Sequence, residues 1–323
     1  MARYDIICIG AGPTGLATAI EAKRAGMQAL VIDKGCLCNS IFHYPVNMVF
    51  FTTPELLEIG DLPLVSPTEK PTRAEALKYY RKAAEHFELD LRLFERVERV
   101  DGQDGNFGVV TRTDKGIEQR YNAKKVAVAT GYYDLPNQIG VPGEDLPHVS
   151  HYYTEPFSFW NQHVVVIGGK NSAAEAALDL YRNGARVTLV HRRPELGATI
   201  KYWVRPDIEN RMKAGQITGL LDTRVKEITR DEVVVQNGGA EKRLPAKQIF
   251  ALTGYHPDFV FIESLGVRLD PETRKPALDP NTLESNVPGI HLAGVVIGGR
   301  FTGEIFIENG RFHGKQIIEA LKG

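Results

Sequence analysis

The chain has 323 residues, 43% of them hydrophobic and 24% charged, with a net charge of −1. This is a globular composition with room for two domains, and its charge balance provides no broad field for nucleic acid or anionic lipid. No apolar run reaches the roughly 18 residues of a membrane span, and the N-terminus enters an apolar strand without a signal peptide, so a cytoplasmic address is expected. The three cysteines, Cys8, Cys36 and Cys38, do not suggest a secreted disulfide framework. No histidine or cysteine set has zinc-ligand spacing, so no metal is expected.

Residues 4–9 form a short apolar run ending in glycines, which predicts a buried parallel strand. Leu16, Ala17, Ile20 and Ala25 then recur at helical spacing over 14–25, and Gly26 stops the helix. A second apolar run, 29–32, ends at Asp33. Residues 92–121 alternate as an antiparallel meander, with turns expected at Asp101-Gly102, Asp104-Gly105 and Lys115-Gly116. A strand at 163–167, a turn at Gly168-Gly169, a helix over 173–181 stopped by Gly184, and a strand at 186–190 repeat the opening βαβ unit. Two such units imply two dinucleotide folds. Residues 225–235 alternate again. The segments 249–254 and 290–294 are strand-to-glycine runs expected to return the chain to the first sheet, and a last helix is expected from about Gly303 to Leu321.

The first fingerprint is Gly10-Ala11-Gly12-Pro13-Thr14-Gly15, between strand and helix, with Asp33 closing the next strand. Gly10 permits the tight turn, Gly12 lets backbone approach a pyrophosphate, and Gly15 lets helix pack on strand. The helix N-terminus offers unpaired N–H groups to the phosphates, and Asp33 accepts from a ribose hydroxyl. Taken alone the triplet is a weak signal that a simple turn also produces; strand, helix and distal acid in register make it a nucleotide site. The second fingerprint is Gly168-Gly169-Lys170-Asn171-Ser172-Ala173, in which Lys170 replaces the second glycine and offers an ammonium instead. After the following strand stands His191-Arg192-Arg193, where an NAD-binding fold carries an acid. Guanidinium groups there pair with a 2′-phosphate, so NADPH is expected over NADH. The competing account of this tripeptide is a solvated loop.

Together these segments resemble the low-molecular-weight thioredoxin-reductase-like flavoproteins over nearly the whole chain. Ala129-Thr130-Gly131 resembles the exit from the FAD fold, residues 253–258 the return, and 290–294 the final FAD strand, although Gly294 is followed by Val295 rather than the usual aspartate. The Cys-x-x-Cys pair of thioredoxin reductases is missing, since residues 151–156 read His-Tyr-Tyr-Thr-Glu-Pro. The chain is more similar to the bacillithiol disulfide reductase subgroup. Ser40-Ile41-Phe42-His43-Tyr44-Pro45, Phe50-Phe51, Ile59-Gly60-Asp61, residues 129–133, the Gly168 loop, Gly254–Asp258 and Phe306–Gly310 carry that likeness. Lys170 and Val295 are typical of it. One departure matters: where the subgroup often has a cysteine beside the flavin, this chain has Thr14.

The resemblance implies an α/β protein of two Rossmann-like three-layer domains. The FAD domain comprises 1–134 and 256–323, and the NADPH domain, 135–255, is inserted in it. It also implies Lys34, Ser40, Thr130, Gly131, Gly294, Glu304 and Ile305 as FAD contacts beside the glycine loop and Asp33. Helix N–H groups near Thr302-Gly303-Glu304 would face the flavin, favouring reduced-flavin charge. Phe42, Tyr44, Phe50 and Phe51 are candidates to wall the ring, or a plain aromatic cluster. No catalytic residue is fixed. The candidates are His43, His151 and His256 as proton donors, against structural histidines, and Cys36 and Cys38, with Lys34 nearby to stabilise thiolates, against an incidental or accessory pair at the adenosine end of FAD. Cys8 reads as a buried apolar residue.

The expected reaction is NADPH-driven reduction of a low-molecular-weight disulfide such as bacillithiol disulfide. The alternative is reduction of ferredoxin or flavodoxin, small acidic redox proteins that a basic face of Arg73, Lys78, Arg81, Lys82, Lys201 and Arg205 would attract, unless these are ordinary solvated helix faces. A flavin monooxygenase and a non-catalytic NADPH or redox sensor are weaker readings. A homodimer or tetramer is the expectation that the resemblance carries.

Overall fold

The computed structural model describes residues 3–322. By compactness the chain divides into two units, Met1–His43 with Asn47–Leu135 and Tyr255–Gly323, and Tyr44–Val46 with Pro136–Gly254.

The first unit opens with β1 (Arg3–Ile9), α1 (Pro13–Arg24) and β2 (Ala29–Ile32), followed by one helical turn, α2 (Asn39–Phe42). Along β1, Ile7 and Ile9 enter the core on one face of the sheet and Ile6 and Cys8 enter it on the other. Burial on both faces is what a central parallel strand requires, and each such isoleucine contributes about 2 kcal/mol. Next comes α3 (Arg73–His86), outside the sequence expectations. Its signal was present: the Thr72 hydroxyl accepts from Glu75 N at 3.2 Å while the Glu75 carboxylate accepts from Thr72 N at 2.7 Å, a capping box. The chain continues through β3 (Asp90–Arg92), β4 (Glu95–Gln103), β5 (Asn106–Thr113) and β6 (Glu118–Val128). Asp101-Gly102 is not a turn but lies inside β4, paired with Gly108 and Phe107. The actual hairpin turn is at Asp104-Gly105, where Gly105 has φ +77.

The second unit starts from β7 (Val149–Ser150) and β8 (His163–Ile167), then α4 (Asn171–Arg182), β9 (Arg186–Val190), α5 (Arg205–Lys213) and β10 (Thr218–Leu220). An antiparallel ribbon, β11 (Arg224–Ile228), β12 (Glu232–Asn237) and β13 (Ala240–Pro245), precedes β14 (Gln248–Ala251). The parallel sheet has the order β10-β9-β8-β14-β7. β14 therefore belongs to this sheet, against the expectation that 249–254 rejoins the first one; it pairs with Val164–Ile167 because both of its faces are apolar and β8 is its matching neighbour.

The return to the first unit brings α6 (Phe259–Ser264), β15 (Ile290–Leu292), α7 (Ile307–Gly310) and α8 (His313–Lys322). The first sheet runs β3-β2-β1-β6-β5-β4. β6 forks along its length: β5 pairs antiparallel with 118–123, and β15 pairs parallel with 126–128. The expected single helix from Gly303 is instead α7 and α8. Residues 301–306 are non-helical because the Asn309 side chain accepts from Phe306 N at 2.8 Å and donates to Glu304 O at 3.1 Å, setting the helix start at Ile307. α8 crosses α1 closely at Gly314, where any side chain would overlap the Thr18 backbone.

Candidate active site

In each unit the glycine loop lies where strand order reverses, between β1 and β6 in the first and between β8 and β14 in the second. This switch point is where open α/β sheets leave a crevice for ligands. In the first unit, Gly10 has φ +114, and a Cβ there would overlap the Ala129 carbonyl at the end of β6. A Cβ on Gly15 would strike the Gly10 carbonyl. Gly12 differs: as N-cap of α1, its Cβ would meet nothing within 4 Å. Folding does not demand glycine there, so the open space at the helix N-terminus is the cradle a pyrophosphate would use. The first helical bond of α1 runs from Leu16 N to Gly12 O at 2.9 Å, leaving first-turn N–H groups directed at that space.

Around this cradle, Asp33 accepts from Ala11 N at 2.7 Å and from Gly35 N at 2.8 Å. Burial raises its pKa above the ordinary value, with the two N–H groups pulling the other way. The Thr130 hydroxyl is buried without a partner; such a group leaves a hydrogen bond for a ligand atom or an ordered water. Gly131, at φ +72, lies beside the Ser40 hydroxyl. Lys34 is taken up by Asp134 at 2.8 Å. The Thr14 hydroxyl rests 3.0 Å from where a Gly294 Cβ would lie and 3.2 Å from that of Gly310, so its side chain fills a seat between two glycines. Gly294 N donates to His313 Nδ1 at 2.9 Å, and burial lowers the pKa of that histidine. At the expected flavin edge, Glu304 N already donates to Phe301 O at 3.1 Å and its carboxylate pairs with Lys275 at 2.7 Å, whereas Ile305 lines Gly310.

The second loop keeps the same construction. Gly168 has φ +154 against the Leu252 carbonyl, Lys170 is the exposed N-cap of α4, and Ala173 takes the third glycine's position. Asn171 is committed locally: its side chain donates to Thr199 O at 3.0 Å and accepts from Lys201 N at 2.9 Å. The His191 ring lies where a Gly169 side chain would be, and its Nε2 is buried without a partner. Burial, then Arg192 and Arg193, lower its pKa. Arg192 and Arg193 are exposed and form no ion pair among the described residues. This donor set suits a phosphate.

The candidate side chains for which the sequence left a catalytic and a structural account open have the following surroundings. Cys36 and Cys38 are free thiols, and burial followed by Asp33 pushes both upward, Cys38 far upward; Lys34 does not offset this because Asp134 holds it. Cys8 is driven to about 12 by burial. His43 is bound to Asn39 O at 2.8 Å, His256 to Pro257 O at 2.8 Å, and His151 to Ala251 O at 3.1 Å with Glu144 at 3.4 Å. Each is thus tied within its own unit. The four rings of 42–51 do not make one wall in the first unit: Phe50 is buried, Phe42 is 50% exposed, Phe51 stacks edge-on with Phe306 at 5.6 Å, and Tyr44 falls in the second unit. The basic face is paired in part. Arg81 and Lys82 share Glu85 at 2.9 Å, Lys201 holds Glu175 at 2.6 Å, Arg205 holds Glu209 at 3.1 Å, and Arg73 donates to the carbonyls of Ile41 and Phe42.

The pattern of the pyridine nucleotide-disulphide oxidoreductases matches residues 7–294. The chain belongs to that family. It is a flavin-dependent oxidoreductase of the disulfide-reductase type, with FAD and a pyridine nucleotide as its cofactors. It is 44% identical over 324 residues to the bacilliredoxin reductase Bdr of Bacillus subtilis (strain 168), covering 99% of this chain and 98% of that one. The bacillithiol disulfide reductase Bdr of Bacillus cereus superposes with a TM-score of 0.97 at 42% identity, covering 99% of both chains. A thioredoxin reductase of T. acidophilum shares the fold at TM-score 0.78 and 22% identity, over 99% of this chain and 98% of that one. Among the described residues no helix is long and apolar enough to cross a membrane, and no group of His, Cys, Asp or Glu could hold a metal ion.

Proposed function

We propose that the chain reduces a low-molecular-weight disulfide of the bacillithiol type with NADPH, by the balance RSSR + NADPH + H⁺ → 2 RSH + NADP⁺. The end-to-end likeness to the Bacillus cereus enzyme, at 42% identity and TM-score 0.97, carries this reading. Bound FAD supplies the redox relay between nicotinamide and disulfide. We assign it to the 1–134 and 256–323 part, where Gly12 and the first turn of α1 receive the pyrophosphate, Asp33 a ribose, and Thr130, Ser40, Gly131, Gly294 and Ile305 the flavin half. NADPH is assigned to 135–255. There Lys170 and the α4 N-terminus, with Ser172 and Ala173, face the pyrophosphate, and His191, Arg192 and Arg193 face the 2′-phosphate, giving preference over NADH. A cytoplasmic homodimer or tetramer belongs to the same proposal.

The chemistry at position 14 sets this chain apart. A threonine hydroxyl forms no mixed disulfide, and Cys8, Cys36 and Cys38 are all held towards the protonated thiol, which is a poor nucleophile. The reduction is therefore expected to run without a covalent protein–substrate intermediate. The pairing of Arg81 and Lys82 with Glu85, of Lys201 with Glu175 and of Arg205 with Glu209 reduces the positive charge that would attract an acidic redox protein. The test is anaerobic NADPH consumption by the FAD-loaded protein with bacillithiol disulfide, ferredoxin or flavodoxin. Two thiols released per NADPH support the reading. Rapid ferredoxin or flavodoxin reduction without thiol release moves the chain to electron transfer.

A further inference from the structure

Phe94 stands out among the described residues of the first unit because three of its properties conflict unless a ligand reconciles them. Its φ is +58, a left-handed conformation that crowds the Cβ of any residue but glycine and is rare for a bulky aromatic. The residue is 49% exposed, and no described aromatic ring or cation packs against its ring. Yet its backbone is firmly held. Phe94 N donates to Gly35 O at 3.0 Å, Phe94 O accepts from Asp114 N at 2.9 Å, and the next residue, Glu95, donates to Asp33 O at 2.9 Å. The strand-end segment 92–95 is thus laced to 33–35, the segment whose Asp33 carboxylate reaches Ala11 in the glycine loop at 2.7 Å. Strain that the surroundings fix this tightly is found at ligand clamps.

Position indicates the ligand. In a dinucleotide fold the pyrophosphate lies on the first helix, and the adenosine runs from it towards the acid at the end of the second strand. Phe94 follows β3, the strand beside β2, at that same end. We infer that the Phe94 ring is the stacking platform for the adenine of FAD, held in a left-handed conformation so that it projects over the Asp33 end of the crevice. An aromatic face there meets the one flat apolar part of the adenosine half, and base-on-ring stacking needs no hydrogen-bond readout. This rests on the assignment of FAD to the first unit.

The apoprotein, Phe94→Asn and Phe94→Tyr would be titrated with FAD and with FMN, which lacks the adenosine, following flavin fluorescence. Asparagine removes the ring but tolerates the left-handed conformation. The expected result is a roughly tenfold loss of FAD affinity in Phe94→Asn, FMN affinity unchanged within about twofold, and FAD affinity restored in Phe94→Tyr. Equal weakening of both flavins would reduce Phe94 to a structural residue, and unchanged FAD affinity would remove it from the site; either result overturns the inference. A wild-type protein that takes up neither flavin would overturn the cofactor assignment itself, an outcome distinct from the other two.

Discussion

Three glycines in one loop carry three different constraints, and their substitutions should separate. Gly15→Ala drives a methyl group into the Gly10 carbonyl, so a loss of more than about 2 kcal/mol in apoprotein stability is expected. Gly12→Ala meets open space, so apoprotein stability should change by less than about 1 kcal/mol while FAD affinity falls sharply. Denaturant melts of the apoproteins with flavin titrations check both arms; a Gly12→Ala protein that binds FAD normally would remove the pyrophosphate from this loop. The cysteines give a second prediction at this scale. Because burial and Asp33 hold Cys36 towards the thiol, Cys36→Ser should keep disulfide turnover within about twofold of wild type. A large loss of kcat would restore Cys36 as a participant. These roles differed in legibility. The glycine loop was readable in the sequence because its constraints are local. The states of Lys34, Cys36 and Cys38 were not, since they depend on Asp134 and on burial supplied by distant segments.

At the level of elements, α8 is tied to the end of β15 by one hydrogen bond, Gly294 N to His313 Nδ1 at 2.9 Å. The acceptor nitrogen must be unprotonated, and burial lowers the histidine's pKa below its usual 6.5. The unfolded chain therefore binds this proton more readily than the folded one. The contribution is fully present above pH 6.5 and is lost as pH falls below it towards the folded-state value. His313→Asn keeps an acceptor without a titrating group, so its unfolding free energy should fall less steeply between neutral and acid pH than that of wild type. Parallel slopes in denaturant melts across that range would dismiss the tie. Elements whose apolar signal was short and bounded by glycine, such as β1, α1, β8 and β9, were legible, whereas α3 was not read although Thr72 and Glu75 cap it. α7 and α8 were read as one helix because the Asn309 side chain that resets the helix start acts through geometry, not periodicity.

Across the whole molecule the net charge of −1 conceals how the cations are used. Arg81 and Lys82 share the single carboxylate of Glu85 on their own helix, and exposed pairs of this kind contribute about 1 kcal/mol or less. Replacing both by alanine should leave disulfide turnover within about twofold. Among the described residues Arg192 and Arg193 have no carboxylate partner, so replacing them with alanine should raise KM for NADPH by tenfold or more, roughly 1.5–3 kcal/mol per charged hydrogen bond, with KM for NADH little changed. Steady-state kinetics with both nucleotides checks this, and equal effects on the two would end the 2′-phosphate assignment.

By itself the sequence determined the two glycine loops, the strands and helices that flank them, the acid after one and the basic tripeptide after the other, and the absence of a Cys-x-x-Cys pair. All of these are written in short windows where spacing and backbone stereochemistry act locally. Only the tertiary structure decided which sheet β14 joins, which cations are already paired, that the histidine candidates are tied within their own units, and that Thr14 is seated between Gly294 and Gly310. Each of these depends on which distant segment a strand edge, a charge or a side chain meets, and one chain read in order does not contain that pairing.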